Sequence, residues 1–383
     1  MIGSCYGGKG FPYICFALTH ADKLPPAAHP SMPRRSRLFS LSALTRAYQR
    51  NLKAFARATK PARPKAPAKL RVVSPKAPPV ARTKPSVGKP TPVSGEWLGG
   101  IAPGPAGARR YQLYIPPGLA LKTGEKLPLL VMLHGCGQTG RDLAAVSRMN
   151  RLAARHRFLV LYPEQERMAN AHGCWNWFER RNGKAEAEAA TLLAAVDLVA
   201  RKQPVDLARV AVAGLSAGAS MAVLMAARYP ERFCAVAMHS GVAPGTAESA
   251  ASAMAAMHGR REAQLPNTFA DKAAPVALPP LLVLHGDSDG VVSVRNAATT
   301  ALLWAGARGA RVGAIRTLQR GQRHAMRVTE FKAGGRTVVA LREIVGLAHA
   351  WSGGAAQLPF SDPAGPDASA LVWAFVARQF AKK

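Results

Sequence analysis

A chain of 383 residues with 48% hydrophobic content carries enough apolar surface for one sizeable core plus an appendage, which argues against a wholly disordered protein. No run approaches the roughly eighteen apolar residues needed to span a bilayer, so no transmembrane segment is expected. The 52 lysines and arginines against 21 acids give a formal charge of +31, which favours acidic partners such as nucleic acid, anionic lipid or another anionic surface.

Residues 1–37 form a poorly defined N-terminus. The stretch through Leu18 is mildly apolar but broken by Gly, Lys and Pro, without the charged start, apolar centre and small-residue cleavage site of a signal peptide. Met32, followed by a basic run, is an alternative start. Over 38–58, Leu41, Leu44, Tyr48, Leu52 and Phe55 recur at steps of three or four, with Arg46, Arg50, Lys53 and Arg57 around them, the spacing of a short basic amphipathic helix. From Arg34 to Lys89 there are sixteen Lys or Arg and no Asp or Glu, about half of the whole excess charge. Such a segment suits contact with a polymer granule or an anionic surface, without specific nucleic-acid recognition; a solvated, weakly helical tail is the alternative. Residues 59–95 are rich in Pro, Lys, Ala and Val, and repeated proline prevents a hydrogen-bond ladder, so they read as an extended linker.

From Glu96 to the C-terminus, short apolar runs alternate with helical patterns, the pattern of an α/β domain with a mostly parallel sheet and helices on both faces. In chain order the expected strands are Tyr111 to Ile115, Leu127 to Leu133, Phe158 to Tyr162, Val210 to Ala213, Cys234 to Met238, Leu281 to Leu284 and, last, Val338 to Val345. The expected helices are Asp142 to His156, Ala187 to Lys202, Ala217 to Arg228 and Ala368 to Phe380. Runs such as LPLLVML are almost continuously apolar, as in strands covered on both faces. Cys5, Cys15, Cys136, Cys174 and Cys234 show no CxxC spacing, so no metal centre is expected. Cys234, inside FCAVAM, reads as a core residue.

Gly214, Leu215, Ser216, Ala217 and Gly218 form G-x-S-x-G between an apolar strand and a helix. That turn exposes the serine hydroxyl, and only residues without bulk two positions either side let strand and helix pass each other. A serine hydroxyl is a weak nucleophile near neutral pH and needs a base oriented by an acid, which in this arrangement follow it in the order acid, then histidine. The strand Leu281 to Leu284 runs into His285, Gly286, Asp287, Ser288 and Asp289; Asp289, further into the loop, is the favoured acid and Asp287 the alternative with turn hydrogen bonds. His349 in GLAHAWSGG follows the last strand and is the favoured base. His134, His239 and His285 each abut a strand end, where histidines usually satisfy backbone groups, and none follows the acid. The oxyanion of a tetrahedral intermediate needs two backbone N–H donors, for which the Ala217 amide and the Cys136 amide in HGCGQ are the candidates.

Taken together, LHGCGQT, CWNWF, GLSAGASM, MHSG, HGDSD and HAWSGG resemble the polyhydroxybutyrate depolymerase family of esterases, close to bacterial feruloyl and acetylxylan esterases, from about Gly107 to the C-terminal helix. The resemblance implies an α/β-hydrolase fold and hydrolysis of carboxylic esters, including short-chain poly(3-hydroxyalkanoates). It also implies no cofactor, an extracellular location, with a cytoplasmic or granule-associated one as the alternative, and the triad Ser216, Asp289 and His349. Ala219 stands where the family commonly has another glycine. The family tends to carry a disulfide near the oxyanion loop, which Cys136 and Cys174 would supply here. Trp351, Trp175 and Trp177 are the candidate aromatic contacts for an apolar ester chain, with core packing as the alternative. Two rival functions stand beside this one: an esterase for plant-wall feruloyl or acetyl esters, and a basic granule- or nucleic-acid-binding protein whose hydrolase domain is vestigial.

Overall fold

The computed structural model describes residues 95–266 and 277–381. The expected amphipathic helix over 38–58, the linker up to residue 94 and the basic stretch 34–89 lie outside the described residues.

The strands in chain order are β1 (Glu96–Ala102), β2 (Arg109–Ile115), β3 (Leu127–Leu133), β4 (Leu159–Pro163), β5 (Val205–Leu215), β6 (Ala235–His239) and β7 (Leu281–Gly286). They continue with β8 (Arg311–Val312), β9 (Arg316–Leu318), β10 (Met326–Ala333), β11 (Arg336–Ile344), β12 (Trp351–Ser352) and β13 (Ser361–Asp362). The helices are α1 (Gly140–Ser147), α2 (Met149–His156), α3 (Lys184–Lys202), α4 (Ala217–Arg228), α5 (Ala250–Met257), α6 (Arg295–Ala307) and α7 (Ala368–Phe380).

The main sheet runs β1-β2-β4-β3-β5-β6-β7-β11-β10-β8, with β9 also paired to β10, and β12 and β13 form a separate pair. Pairing is parallel from β4 through β11 and antiparallel at both ends. All seven residues of β3 are buried, and alternation sends Leu127, Leu129, Val131 and Leu133 into one core, Leu130 and Met132 into the other. The first core takes Leu192 and Val196 of α3, Met221 and Val223 of α4 and Trp304 of α6. The second takes Leu143 of α1, Met149 of α2 and Val372 and Val376 of α7. The parallel strands place the loops after β3, β5, β6, β7 and β11 on one edge of the sheet, where ligands bind in open α/β folds.

The structure departs from the expected elements at several places, which include β1, α5 and the β12–β13 pair. Asp142 to His156 is two helices, because Arg148 adopts φ 56° and ends α1, donating its N–H to the Ala144 carbonyl and its guanidinium to the Gly353 carbonyl. The strand expected to be last, β11, is held on its outer side by an antiparallel β10 that, with β8 and β9, extends the sheet. α6, rich in Ala and Thr and lacking a capping side chain, was missing from the expected elements. Among the described residues no helix is long and apolar enough to cross a membrane.

Candidate active site

β5 runs straight into α4 through Ser216, whose φ of 56° and ψ of −120° turn the chain from strand to helix in one residue. The two flanking glycines are required by space. A Cβ on Gly214 would lie 2.3 Å from the Gly218 carbonyl carbon, and one on Gly218 would lie 2.2 Å from the Leu133 carbonyl oxygen. The Ser216 amide donates to the His239 carbonyl at 2.9 Å, tying the turn to the end of β6. Within residues 211–220, Ser216 alone is not buried. Its hydroxyl therefore sits at the N-terminus of α4, where the first helical amides lack intrahelical acceptors and the helix dipole favours negative charge.

Gly135, after β3, lies against this turn: a Cβ there would be 3.6 Å from both Ser216 Cβ and the Leu215 carbonyl oxygen. Within the 135–138 turn, Gly135 N donates to Gln138 Oε1 at 2.9 Å, Gly137 N to the His172 carbonyl at 3.1 Å and Gln138 N back to the Gly135 carbonyl at 3.2 Å. The Cys136 amide is the N–H of this turn not engaged in such a bond. Cys136 is joined to Cys174 by a disulfide.

Asp289 and His349, the candidate acid and base, converge because β7 and β11 are parallel neighbours, with Glu343 opposite His285 and Ile344 opposite Gly286. Their loops cross so closely that a Cβ on Gly286 would meet the Leu347 carbonyl oxygen at 2.0 Å. Asp287 N donates to the Ile344 carbonyl and Ser288 N to the Leu347 carbonyl, at 3.0 and 3.2 Å. In this frame Asp289 Oδ2 lies 2.7 Å from His349 Nδ1 and 3.3 Å from His285 Nε2, while Oδ1 accepts from Val291 N and Val292 N at 2.9 Å each. A carboxylate can only accept, so Nδ1 of His349 carries the proton and Nε2 is the basic nitrogen of the neutral ring. Burial alone would raise the Asp289 carboxyl. The charge of His349 and the hydrogen bonds from His285 and His349 outweigh it and hold the group well below the usual carboxylate range. Asp287 instead accepts from Gly346 N at 2.8 Å and pairs with Arg327 at 3.3 Å, a bracket for the loop that leads to His349.

The other three histidines are structural in their contacts. His134 Nδ1 donates to the Gly135 carbonyl at 2.8 Å and Nε2 accepts from Gln165 N at 3.1 Å. His285 Nε2 lies 2.9 Å from the Val292 carbonyl. His239 Nε2 accepts from Ser352 N at 3.2 Å and its ring stacks on Trp351, holding the loop just beyond His349. Burial pushes His134 down to about 4, against the Gly135 hydrogen bond and the Asp142 charge. Burial, reinforced by His285 and His349 and opposed by Asp289, pushes His239 down to about 3. Both are therefore neutral when folded at a pH where the unfolded chain, titrating near 6.5, already binds the proton. Their contribution to stability is intact above about pH 6.5 and is lost as pH falls toward the folded values, with His134 alone worth on the order of 3 kcal/mol. Asp289 adds to the same slope below the ordinary carboxylate range. Urea unfolding at pH 7.5, 6 and 5 is expected to show a steady fall in unfolding free energy; a flat profile would count against these buried neutral rings.

The three candidate aromatics differ in exposure and in what their ring nitrogens bond. Trp175 is fully buried with Nε1 donating to the His134 carbonyl at 3.0 Å, and Trp351 is 1% exposed with Nε1 donating to Ser369 Oγ at 3.1 Å. Both indoles pack in the core, the alternative stated for them above, and each buried N–H has the acceptor it needs. Trp177, at 9% exposed and edge-on to the partly exposed Phe178, is the one of the three nearest the surface. Sequence reasoning also passed over Glu188, wholly buried on α3 and paired with Arg109 at 3.0 Å. The signal for it was the lone polar Asn176 inside CWNWF, which needs a buried partner. Among the described residues no group of three or more His, Cys, Asp and Glu is placed to hold a metal ion.

Residues 109–316, just over half of the chain, match the family Esterase PHB depolymerase. Among curated proteins the chain is 34% identical over 190 residues to poly(3-hydroxyalkanoate) depolymerase C of Paucimonas lemoignei, covering 48% of this chain and 44% of that one. It is 36% identical over 149 residues to feruloyl esterase B of Neurospora crassa, covering 39% and 49%. The chain thus spans about half the length of these curated relatives. Among solved structures, the acetyl xylan esterase from Aspergillus awamori superposes with a TM-score of 0.52 at 22% identity, over 67% of this chain and 94% of that one, a likeness of fold.

Proposed function

The chain belongs to the Esterase PHB depolymerase family, and from that premise we propose that it hydrolyses short-chain carboxylic esters, with poly(3-hydroxyalkanoate) or its oligomers as substrate, through Ser216, His349 and Asp289. The observation that carries this reading is the solvent-accessible Ser216, held at φ 56° on the N-terminus of α4 in a turn that only glycine can flank. His349 Nε2 takes the Ser216 proton as Oγ attacks the ester carbonyl, forming a tetrahedral intermediate whose oxyanion is met by the Cys136 and Ala217 amides. The intermediate collapses as His349 returns the proton to the departing alcohol oxygen, leaving an acyl-enzyme. Water repeats the sequence, with His349 as base and then acid, and releases the carboxylic acid. Asp289 holds the imidazole tautomer and stabilises its protonated form.

The Cys136 to Cys174 disulfide supports an oxidising, extracellular setting. The cations of 34–89 would supply contact with an anionic or granule surface. The identity shared with feruloyl esterase B favours a second substrate class, feruloyl esters of plant-wall sugars, handled by the same side chains. Release of 3-hydroxybutyrate from its oligomers is to be compared with release of ferulate and acetate from feruloylated and acetylated sugars. Preference for the hydroxyalkanoate in kcat/KM is expected; a preference for ferulate or acetate would transfer the assignment to the plant-wall class, and no turnover of any ester would end it.

A further inference from the structure

Glu188 gathers four N–H donors onto one wholly buried carboxylate. Oε1 accepts from Arg109 Nη2 at 3.0 Å, Gln165 Nε2 at 2.7 Å and Asn176 Nδ2 at 3.0 Å, and Oε2 accepts from Asn176 N at 2.6 Å. Gln165 and Asn176 in turn hold the turn at 134–138 from behind, by three routes. Gln165 donates its backbone N–H to His134 Nε2 at 3.1 Å and its side chain to the Cys174 carbonyl at 2.9 Å. Asn176 follows Trp175, whose indole donates to the His134 carbonyl at 3.0 Å, and lies two residues from Cys174, which is bonded to Cys136. The Asn176 side-chain oxygen accepts from Asn170 at 2.9 Å, Asn170 accepts from His172 N at 3.0 Å, and the His172 carbonyl accepts from Gly137 N at 3.1 Å. The residues on both sides of the Cys136 amide, and Cys136 itself, are therefore referred to one carboxylate on a rigid helix.

Stability alone is a poor reason for such a group. Burying an ion pair forfeits hydration, and apolar side chains of similar volume often serve as well or better. What the carboxylate supplies, and an apolar side chain cannot, is a fixed acceptor geometry for several donors at once, which is how a reactive loop is held to within a fraction of an ångström. Resting on the esterase reading above, we propose that Glu188 is a positioning residue for the oxyanion-binding turn, setting the Cys136 amide through Gln165 and Asn176. It touches no substrate.

Glu188→Gln keeps the volume but replaces one acceptor oxygen by an NH₂ facing N–H donors; Trp175→Phe keeps an aromatic ring but cuts the bond to the His134 carbonyl. Both are to be measured in the full chain for kcat and KM on p-nitrophenyl butyrate, per active site titrated with a fluorophosphonate, and for Ki of an alkyl boronic acid that mimics the tetrahedral intermediate. Glu188→Gln is expected to lower kcat per site by roughly 10- to 100-fold with KM within about twofold, and to raise the boronate Ki by a similar factor. Trp175→Phe should move both quantities the same way by less, and carries the test alone if Glu188→Gln does not fold. Unchanged kcat per site and unchanged Ki in the folded variants, with only melting temperature or the titratable fraction reduced, would overturn the proposal. Ser216→Ala measured alongside separates the two claims: activity retained there defeats the esterase reading itself, whereas an inactive Ser216→Ala beside a fully active Glu188→Gln defeats only the role of Glu188.

Discussion

Ser216→Ala is expected to lower kcat on p-nitrophenyl acetate or butyrate by 10⁴-fold or more, an order of magnitude set by the loss of a covalent route. The substitution removes one oxygen and little else. Alanine, like serine, must hold the left-handed φ of 56°, and the backbone bond from residue 216 to the His239 carbonyl remains. Fold and substrate contacts should persist, so a melt close to that of the unaltered protein is part of the expected result. On this proposal, what would survive is the weak polarisation of an ester carbonyl by the Cys136 and Ala217 amides, which cannot replace a nucleophile. Initial rates with a circular-dichroism melt check both halves; near-normal turnover would refute Ser216 as the attacking group.

Asp289→Asn should lower kcat by about 10³- to 10⁴-fold without unfolding the chain, for a reason fixed by the loop around it. Oδ1 accepts from the Val291 and Val292 amides, so an asparagine keeps its oxygen there and turns its NH₂ toward His349 Nδ1 and His285 Nε2. Facing a donor, His349 must present a bare Nδ1 and move its proton to Nε2, the nitrogen that should receive the Ser216 proton. The ring is then in the wrong tautomer for a base. Asp287→Asn makes the contrast, since Asp287 braces Gly346 N and Arg327 and does not touch the ring; its kcat is expected to fall by less than about tenfold. Rates for the two variants measured side by side check the assignment, and an Asp287→Asn loss larger than that of Asp289→Asn would reverse it.

Much of this arrangement was legible in the sequence because it depends on local rules. α4 and α7 begin and end where their apolar spacing places them, and β3 is as continuously buried as LPLLVML suggests. Gly214 and Gly218 were readable because the steric demand of a strand-to-helix turn acts over five residues. The place of Asp289 beyond the end of β7 was readable from the apolar run before it. β8 and β9 were not, since short edge strands carry little apolar alternation: both residues of β8 and all three of β9 are exposed; the longer β1 and β10 were missed as well. The break at Arg148 was hidden because arginine suits a helix, and only its distant bond to the Gly353 carbonyl explains the left-handed residue. The burial of two indoles was hidden for a related reason: composition tells that an aromatic is present, but the acceptors of Trp175 and Trp351, the His134 carbonyl and Ser369 Oγ, lie 41 and 18 residues away in the chain. Glu188 was invisible for the same cause, as its partners lie 12 to 79 residues away and converge only through folding.

The central claim is that Ser216 is activated by a histidine brought to it from the loop after β11. Peptide mapping by mass spectrometry after brief exposure to a fluorophosphonate addresses it most directly. A single phosphonyl adduct on Ser216 is expected, forming rapidly in the unaltered chain and slower by orders of magnitude in His349→Ala. An adduct on a different residue, or labelling of Ser216 at the same speed without His349, would contradict the account.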